Sequence, residues 1–429
     1  MPAILRRSPR IALVIDRFDG RRGGAALWTR GFAAWLAARD CEVHVLARSV
    51  GPAEAHLPIT FHPIEVGHSP LAFAMVVSKR LAAIRPLISH DMGVAIGCDV
   101  FQPHVGSGLA CWNGSVASYP AWLRPVKRLC GLSPRYRRLR RLSAAQYNGD
   151  SAVFVAVSHK VARDMQSLHH VPAERIRVVH NGVDLSRFAP GAHPDARPAI
   201  RRYYGIRDNE VLLIAVAHNY RLKGIPGLIR TVEQLRREGD PVRLLLCGGD
   251  SCAIDSGDVG HGTVVDCGRV EDVAPFYAAA DICVHPTFYD ACSLVTLEAM
   301  AAGLAVITTR ANGASELITH AVNGVVLDFP HNLQALAAAL RPLVRDANVR
   351  RALGGAGRRL VKAHSVDRSY HGIAAAYVDA LALRSVAATA IEPLSVSAHP
   401  PRIGNRRAFG ARKPLHRCLS GNAASRPSR

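Results

Sequence analysis

The sequence lacks what several function classes require. Only 6% of its 429 residues are aromatic, and no apolar run reaches the ~18 uncharged residues that cross a bilayer. The opening MPAILRRSPR leads straight into IALVID without the apolar core and cleavage site of a signal peptide. A cytoplasmic location is therefore expected. The cysteines, at 41, 98, 111, 130, 247, 252, 267, 283, 292 and 418, form no CxxC pair. Cys247 and Cys252 have no His or Cys at zinc-ligand spacing, so reduced thiols are expected rather than disulfides or a metal site. No GxGxxG opens either half with an acid about 20 residues on, which argues against a dinucleotide dehydrogenase. No DxD pair offers carboxylates to a metal, so neither metal nor other cofactor is expected. Aromatic stacking platforms and nucleic-acid motifs are also missing, and no nucleic-acid partner is expected.

Acids are scarce too: 33 Asp and Glu face 54 Lys and Arg, a net charge of +21. The excess is concentrated. Trp122–Arg141 contains Arg124, Lys127, Arg128, Arg135, Arg137, Arg138, Arg140 and Arg141 and no acid. Leu123, Val126, Leu129, Leu132, Leu139 and Leu142 interleave at roughly helical spacing, with a break at Ser133-Pro134. Such a stretch reads either as an anionic membrane surface element, peripheral on the inner face of the membrane, or as a solvated helix face. Residues 386–429 read as a basic disordered tail, with Glu392 as its one acid.

At this length two domains are expected. Strand-like runs at Ile11–Asp16, Glu42–Ala47, Ile59–Val66, Asp99–Gln102 and Ala152–Val157 alternate with helical patterns that include Ala25–Ala38 and Leu71–Ile84. The second half repeats the alternation. Its strands are expected at Val211–Ala217, Val242–Cys247, Thr263–Asp266, Ile282–His285, Ala305–Thr308 and Gly324–Leu327, its helices at Ile225–Arg237, Val273–Ala279, Leu294–Ala301 and Leu333–Val344. This pattern predicts an α/β fold of two Rossmann-like, doubly wound parallel-sheet domains facing a central cleft. Their bounds are read as 1–185 and 186–364, with Pro/Ala/Gly-rich Phe188–Arg197 at the junction and a helix over 365–385 that packs back across it.

The most informative stretch is HPTFYDACSLVTLE, His285–Glu298: a buried strand, a tight loop, then a helix. Asp290 and Glu298 stand eight positions apart, about 12 Å along a helix. That exceeds the roughly 5–9.5 Å of a glycosidase carboxylate pair. It suits two acids holding opposite ends of one elongated ligand. Between them, the free amides around Ser293 and Leu294 would face an anion. Hydroxyls at both ends and phosphate in the middle describe a nucleotide-sugar.

Other groups point to the same cleft. Arg221 and Lys223, in HNYRLKG between a strand and a helix, form a candidate diphosphate clamp. Gly23 and Gly24, after the first strand, allow close approach to phosphate or sugar, or simply turn the chain. CGGD at 247–250 is a glycine turn. His104, after a strand and a proline, would face the cleft, although it is one of 20 histidines. The loop Asn312–Glu316 reads as a helix cap centred on Glu316 or as a sugar- or base-contacting loop.

Taken together, NGVD (181–184), NYRLKG (219–224), CGGD (247–250), HPTFYDACSLVTLEAMAAGLAVITT (285–309) and ANGASELI (311–318) resemble the retaining glycosyltransferases of family 4, nearest to lipopolysaccharide core glucosyltransferases. The resemblance covers Ile11–Tyr377. It implies a GT-B fold and transfer of a hexose from a UDP- or GDP-sugar to a glycan or glycolipid in cell-envelope biosynthesis. It further implies that Glu298 binds ribose, Asp290 the sugar hydroxyls, Arg221 and Lys223 the diphosphate, Gly23 and Gly24 the phosphate region, and His104 the anomeric region. Two positions depart from the family pattern: Asp290 replaces the usual Glu, and Ser293 replaces a common glycine. An epimerase of the same fold and a non-catalytic nucleotide-sugar-binding relative remain as alternatives.

Overall fold

The computed structural model describes residues 8–67, 69–149, 153–249 and 262–391. Asp250 of the CGGD turn and the expected tail beyond Ile391 lie outside them. Residues 1–385 form one compact unit; of 386–429, only the end of the last helix is described.

The first sheet contains seven parallel strands: β1 (Arg10–Val14), β2 (Glu42–Ala47), β3 (Thr60–Pro63), β4 (Ile88–Asp91), β5 (Val100–Phe101), β6 (Val153–Ala156) and β7 (Ile176–Val178), in the order β3-β2-β1-β4-β5-β6-β7. Among the described residues of this half the α-helices are α1 (Gly24–Ala37), α2 (Pro70–Ile84), α3 (Gly108–Ala117), α4 (Arg124–Cys130), α5 (Pro134–Tyr147) and α6 (His159–His169). α7 (Ala196–Tyr203) then leads into the second sheet. That sheet is built from β8 (Val211–Val216), β9 (Val242–Cys247), β10 (Val264–Asp266), β11 (Ile282–His285), β12 (Ala305–Thr309) and β13 (Val325–Leu327), ordered β10-β9-β8-β11-β12-β13. Its helices are α8 (Ile225–Arg237), α9 (Ala274–Ala279), α10 (Leu294–Ala301), α11 (Leu333–Arg345) and α12 (Ala347–Val361), and α13 (Val366–Ile391) follows. The doubly wound α/β expectation holds in both halves.

Strand alternation explains why both faces of each sheet are covered. Ile11 and Leu13 of β1 join the core beneath α1, while Ala12 and Val14 pack with Phe73 and Val77 of α2. In the second sheet Leu212 and Ile214 face one core, and Leu213 and Ala215 the core under α8 and α11.

β4 and β7 escape the sequence pattern. β4 reads ISHD, yet all four residues are buried. Ser89 and Asp91 are satisfied locally: Ser89 donates to Asp99 at 2.7 Å, and the Asp91 carboxylate accepts the N–H groups of Gly93, Val94 and Ala95, whereas His90 Nδ1 reaches Tyr377 Oη at 2.9 Å.

α13 returns to the first half. Tyr370, Ile373 and Tyr377 share a core with Trp28, Phe32 and Trp35 of α1, and Trp35 Nε1 donates to Asp367 at 2.7 Å. The helix runs six residues past the expected limit of 385. The chain crosses between the halves at Val183 and again at Ser365, and the two crossings are bridged side by side. A Cβ on Gly182 would lie 2.4 Å from the Ser365 carbonyl oxygen, so the glycine of NGVD is what lets the crossings touch.

Candidate functional site

In the second sheet the strand order reverses between β8 and β11, the kind of point at which open parallel sheets hold ligands. The loops leaving these adjacent strands carry Arg221 and Lys223 on one side and Asp290 on the other. Phe288 N–H donates to the Leu222 carbonyl at 2.8 Å, knitting the loops together. Gly224, at φ +73°, makes this possible: a Cβ there would lie 2.1 Å from the Pro286 carbonyl oxygen.

Lys223 Nζ sits 2.6 Å from Asp290 Oδ2 and donates to the Tyr289 carbonyl at 3.1 Å. His285, the last residue of β11, places Nε2 3.0 Å from the same Oδ2. Burial opposes ionisation of Asp290, but the Lys223 charge and the His285 hydrogen bond outweigh it and hold the carboxyl well below the usual range. Burial also lowers the His285 pKa, against the pull of Asp290.

Ser293 caps α10. Its Oγ accepts from Thr296 N–H at 3.3 Å, and its own N–H donates to Asn312 Oδ1 at 3.1 Å. A hydroxyl thus does the capping work where a glycine could not. Leu294 follows, and its side chain meets the glycine loop of the other half: a Cβ on Gly24 would lie 2.8 Å from Leu294 Cδ1. Gly23 adopts φ +130°. Glu298, about one turn on, accepts from Tyr277 Oη at 3.0 Å. Burial lifts its carboxyl to about 7, although Tyr277 and the Arg187 charge pull the other way.

Arg221 does not join Lys223 at Asp290. Its guanidinium lies over the Tyr119 ring at 4.8 Å, in a cavity of ≈ 350 Å³ shared with Arg124 and Arg230. His104 packs on Trp28 with ring centroids 4.6 Å apart, and its Nε2 is buried without a hydrogen-bond partner. Burial pushes its pKa down to about 4, so the ring is neutral at ordinary pH. In the CGGD turn a Cβ on Gly249 would overlap the Tyr220 ring.

The groups joining the two halves escape the sequence reading. Ser158 donates to the Ala291 carbonyl at 2.6 Å and Asn181 to the Cys292 carbonyl at 2.8 Å, on either side of the Asp290–Ser293 loop. Arg269 donates to the Arg21 carbonyl beside the glycine loop. The cap expected of Glu316 belongs instead to Asn312, whose Oδ1 accepts from Ala314 N–H at 3.0 Å. Glu316 reaches across the cleft: its carboxylate accepts from His159 N–H at 2.8 Å and Lys160 N–H at 3.2 Å, and lies 2.5 Å from His180 Nε2. Nothing local in ANGASELI signals so distant a partner.

Two family descriptions match the chain: "Glycosyltransferase Family 4" over residues 22–187 and "Glycosyl transferases group 1" over residues 209–346. An uncharacterized glycosyltransferase of Methanocaldococcus jannaschii is 27% identical over 357 residues, 79% of this chain and 89% of that protein. The lipopolysaccharide glucosyltransferase WaaG of Escherichia coli is 28% identical over 231 residues, 52% of this chain but only 61% of its own length. A crystal structure of WaaG, described as involved in lipopolysaccharide biosynthesis, superposes with a TM-score of 0.70 at 23% identity, covering 86% of this chain and 99% of that one. Anabaena HepE in complex with UDP-glucose superposes at 0.63 with 19% identity, over 85% and 98% of the two chains. The chain is thus a GT-B glycosyltransferase with a family 4 domain in its first half and a group 1 domain in its second.

Proposed function

We propose that the protein is a metal-independent, retaining hexosyltransferase. It would move a hexose from a UDP- or GDP-sugar to a hydroxyl of a glycan or glycolipid in cell-envelope polysaccharide or lipopolysaccharide synthesis. The observation that carries the reading is the largely buried Lys223–Asp290–His285 cluster at the switch point, followed in the chain by Leu294, which meets Gly24 of the other half. Solved relatives such as HepE, which binds UDP-glucose, support a nucleotide-sugar donor.

In this reading Glu298 accepts the ribose hydroxyls and Asp290 the hydroxyls of the hexose. The Leu294 amide would face the diphosphate, the expected Ser293 amide being taken by Asn312 Oδ1, and Lys223, with Arg221 swung off Tyr119, neutralises its growing charge. The acceptor hydroxyl attacks the anomeric carbon on the face the diphosphate leaves. The new C–O bond forms as the C–O bond to phosphate breaks, and a departing phosphate oxygen takes the hydroxyl proton. His104, neutral and with a buried free ring nitrogen, would hydrogen-bond the hexose near that carbon. The acceptor would approach from the basic 122–141 face, where Trp122, Val126, Leu129 and Leu132 are exposed among the cations and suit an anionic membrane surface. No described helix is long and apolar enough to cross a membrane.

The test is product analysis. Purified protein is incubated with each UDP- and GDP-hexose and a membrane glycolipid extract, and the new linkage is read by NMR. An inverted anomeric centre excludes the same-face mechanism. An epimerised sugar formed from donor alone would point to an epimerase, and nucleotide binding without turnover to a binding protein.

A further inference from the structure

A cavity of ≈ 540 Å³ opens in the first half between α3, α5 and the loop that follows β5. Its walls are largely apolar or aromatic, with Leu109, Trp112, Tyr136, Leu139, Leu142 and Tyr147 among them. The volume is that of a small-molecule site. Three observations say what would fill it.

The first is position. Pro103, Val105 and Gly106 line the cavity on either side of His104. The other side of this loop touches the loop of Asp290: a Cβ on Gly106 would lie 2.3 Å from Tyr289 Oη and 3.2 Å from Ala291 Cβ. A ligand in the cavity would therefore lie against the loop that carries His104 and that touches the Asp290 loop on its other side. The second is an unmet hydrogen bond. Tyr147 is only 5% exposed, lines the cavity and has no partner for its hydroxyl. A buried hydroxyl in that state costs free energy that a ligand oxygen would recover. The third is charge. α5 borders the cavity with exposed Arg137, Arg138, Arg140 and Arg141, and none of them forms an ion pair among the described residues.

We propose that this cavity holds the hydrocarbon chain of an anionic, lipid-linked acceptor. The arginines of α5 attract its headgroup, and the His104 loop presents its hydroxyl to the donor. The proposal rests on the glycosyltransferase reading and names the class of its acceptor. A chain drawn from a bilayer would pass from one apolar environment to another, so the transfer exposes little hydrocarbon to water.

The test uses the full chain and cis-parinaric acid, an anionic long-chain polyene that fluoresces when it enters an apolar site. A Cβ on Gly108, at the cavity wall, meets nothing within 4 Å, so Gly108→Phe has room to enter the cavity from its wall. Ala144, exposed on α5 at the same wall, supplies a second filling variant, Ala144→Phe. Saturable binding to the wild type, weakened by about tenfold or more in both variants, is expected. The thermal shift given by UDP or GDP should stay unchanged. Equal parinarate binding in both variants, or no saturable binding to the wild type, overturns the proposal. So does binding that appears only when dilution separates a dimer, since a second copy would then own the cavity. Absence of any UDP or GDP shift in the wild type counts against the glycosyltransferase reading, and the parinarate result still decides this one.

Discussion

The Glu316 carboxylate, from the second half, accepts the N–H of His159 at 2.8 Å and so caps the first turn of a helix in the other half. Removing it takes a cap and an inter-half tie together. Glu316→Ala should cost about 1–2 kcal/mol in urea unfolding and enlarge the radius of gyration in X-ray scattering. An unchanged radius would show that the Ser158 and Asn181 bonds hold the halves without it. Burial opposes ionisation of Glu316, but His180 and the two amides outweigh it and keep its pKa below the ordinary carboxylate value. Its contribution is therefore present above that ordinary value and is lost as pH falls through the lowered one.

Lys223 and Asp290 form a pair with side chains only 20% and 18% exposed. Lys223→Ala should lower kcat by about 10²–10³-fold, the usual loss when one preorganised donor to a developing anion is removed. Asp290→Glu restores the longer acid but must displace His285 or Lys223 to fit. It should change the ratio of kcat/KM between donor sugars more than kcat for the best one. Identical donor profiles in wild type and Asp290→Glu would remove Asp290 from sugar selection.

Glu298 gives a pH signature. Its carboxyl is lifted to about 7, so the folded protein binds this proton more tightly than the unfolded chain does. Its stabilising effect is complete below the unfolded carboxylate pKa and is lost as pH rises through about 7. Glu298→Gln should therefore raise the melting temperature at pH 8 and leave it little changed at pH 4. Nucleotide affinity should run the opposite way in the wild type and weaken below pH 7, because a protonated Glu298 is a poorer acceptor for ribose hydroxyls. Glu298→Gln should flatten that dependence; calorimetric titration with UDP across pH 5–9 reads it directly.

The basic face predicts salt-sensitive membrane binding. Each Arg near an anionic leaflet contributes about 1 kcal/mol. Arg137→Glu with Arg138→Glu should then weaken flotation with anionic liposomes by about 30-fold or more. Donor affinity should be untouched. Equal flotation of wild type and variant, or equal binding to neutral liposomes, would mark the stretch as a solvated face.

Most of the architecture was legible because its strands are apolar on both sides and bounded by glycine or polar turns. β9 and β11 match their expected limits residue for residue. β4 was not legible, since Ser89, His90 and Asp91 look like a loop until their partners are known. The same division runs through the site. Lys223 and Asp290 were visible because each follows the end of one of two adjacent strands, and the structure pairs them at 2.6 Å; Glu298 was visible from its place on the helix that follows. Ser158, Asn181 and Glu316 were not, because each acts through a partner more than 100 positions away. Arg221 shows the limit differently: its place beside a strand end was readable, but its stacking on Tyr119 depends on the bend that follows α3 in the other half.

The return of α13 to the first sheet has a consequence for how the protein is made. The faces of Trp28, Phe32 and Trp35 are covered by residues synthesised more than 300 positions later. The second sheet and its helices, in contrast, come from one unbroken stretch and can close while the ribosome is still at work. The half that begins first is thus finished last. A nascent chain stalled before Val366 would carry a completed second sheet tethered to a first one still open along α1.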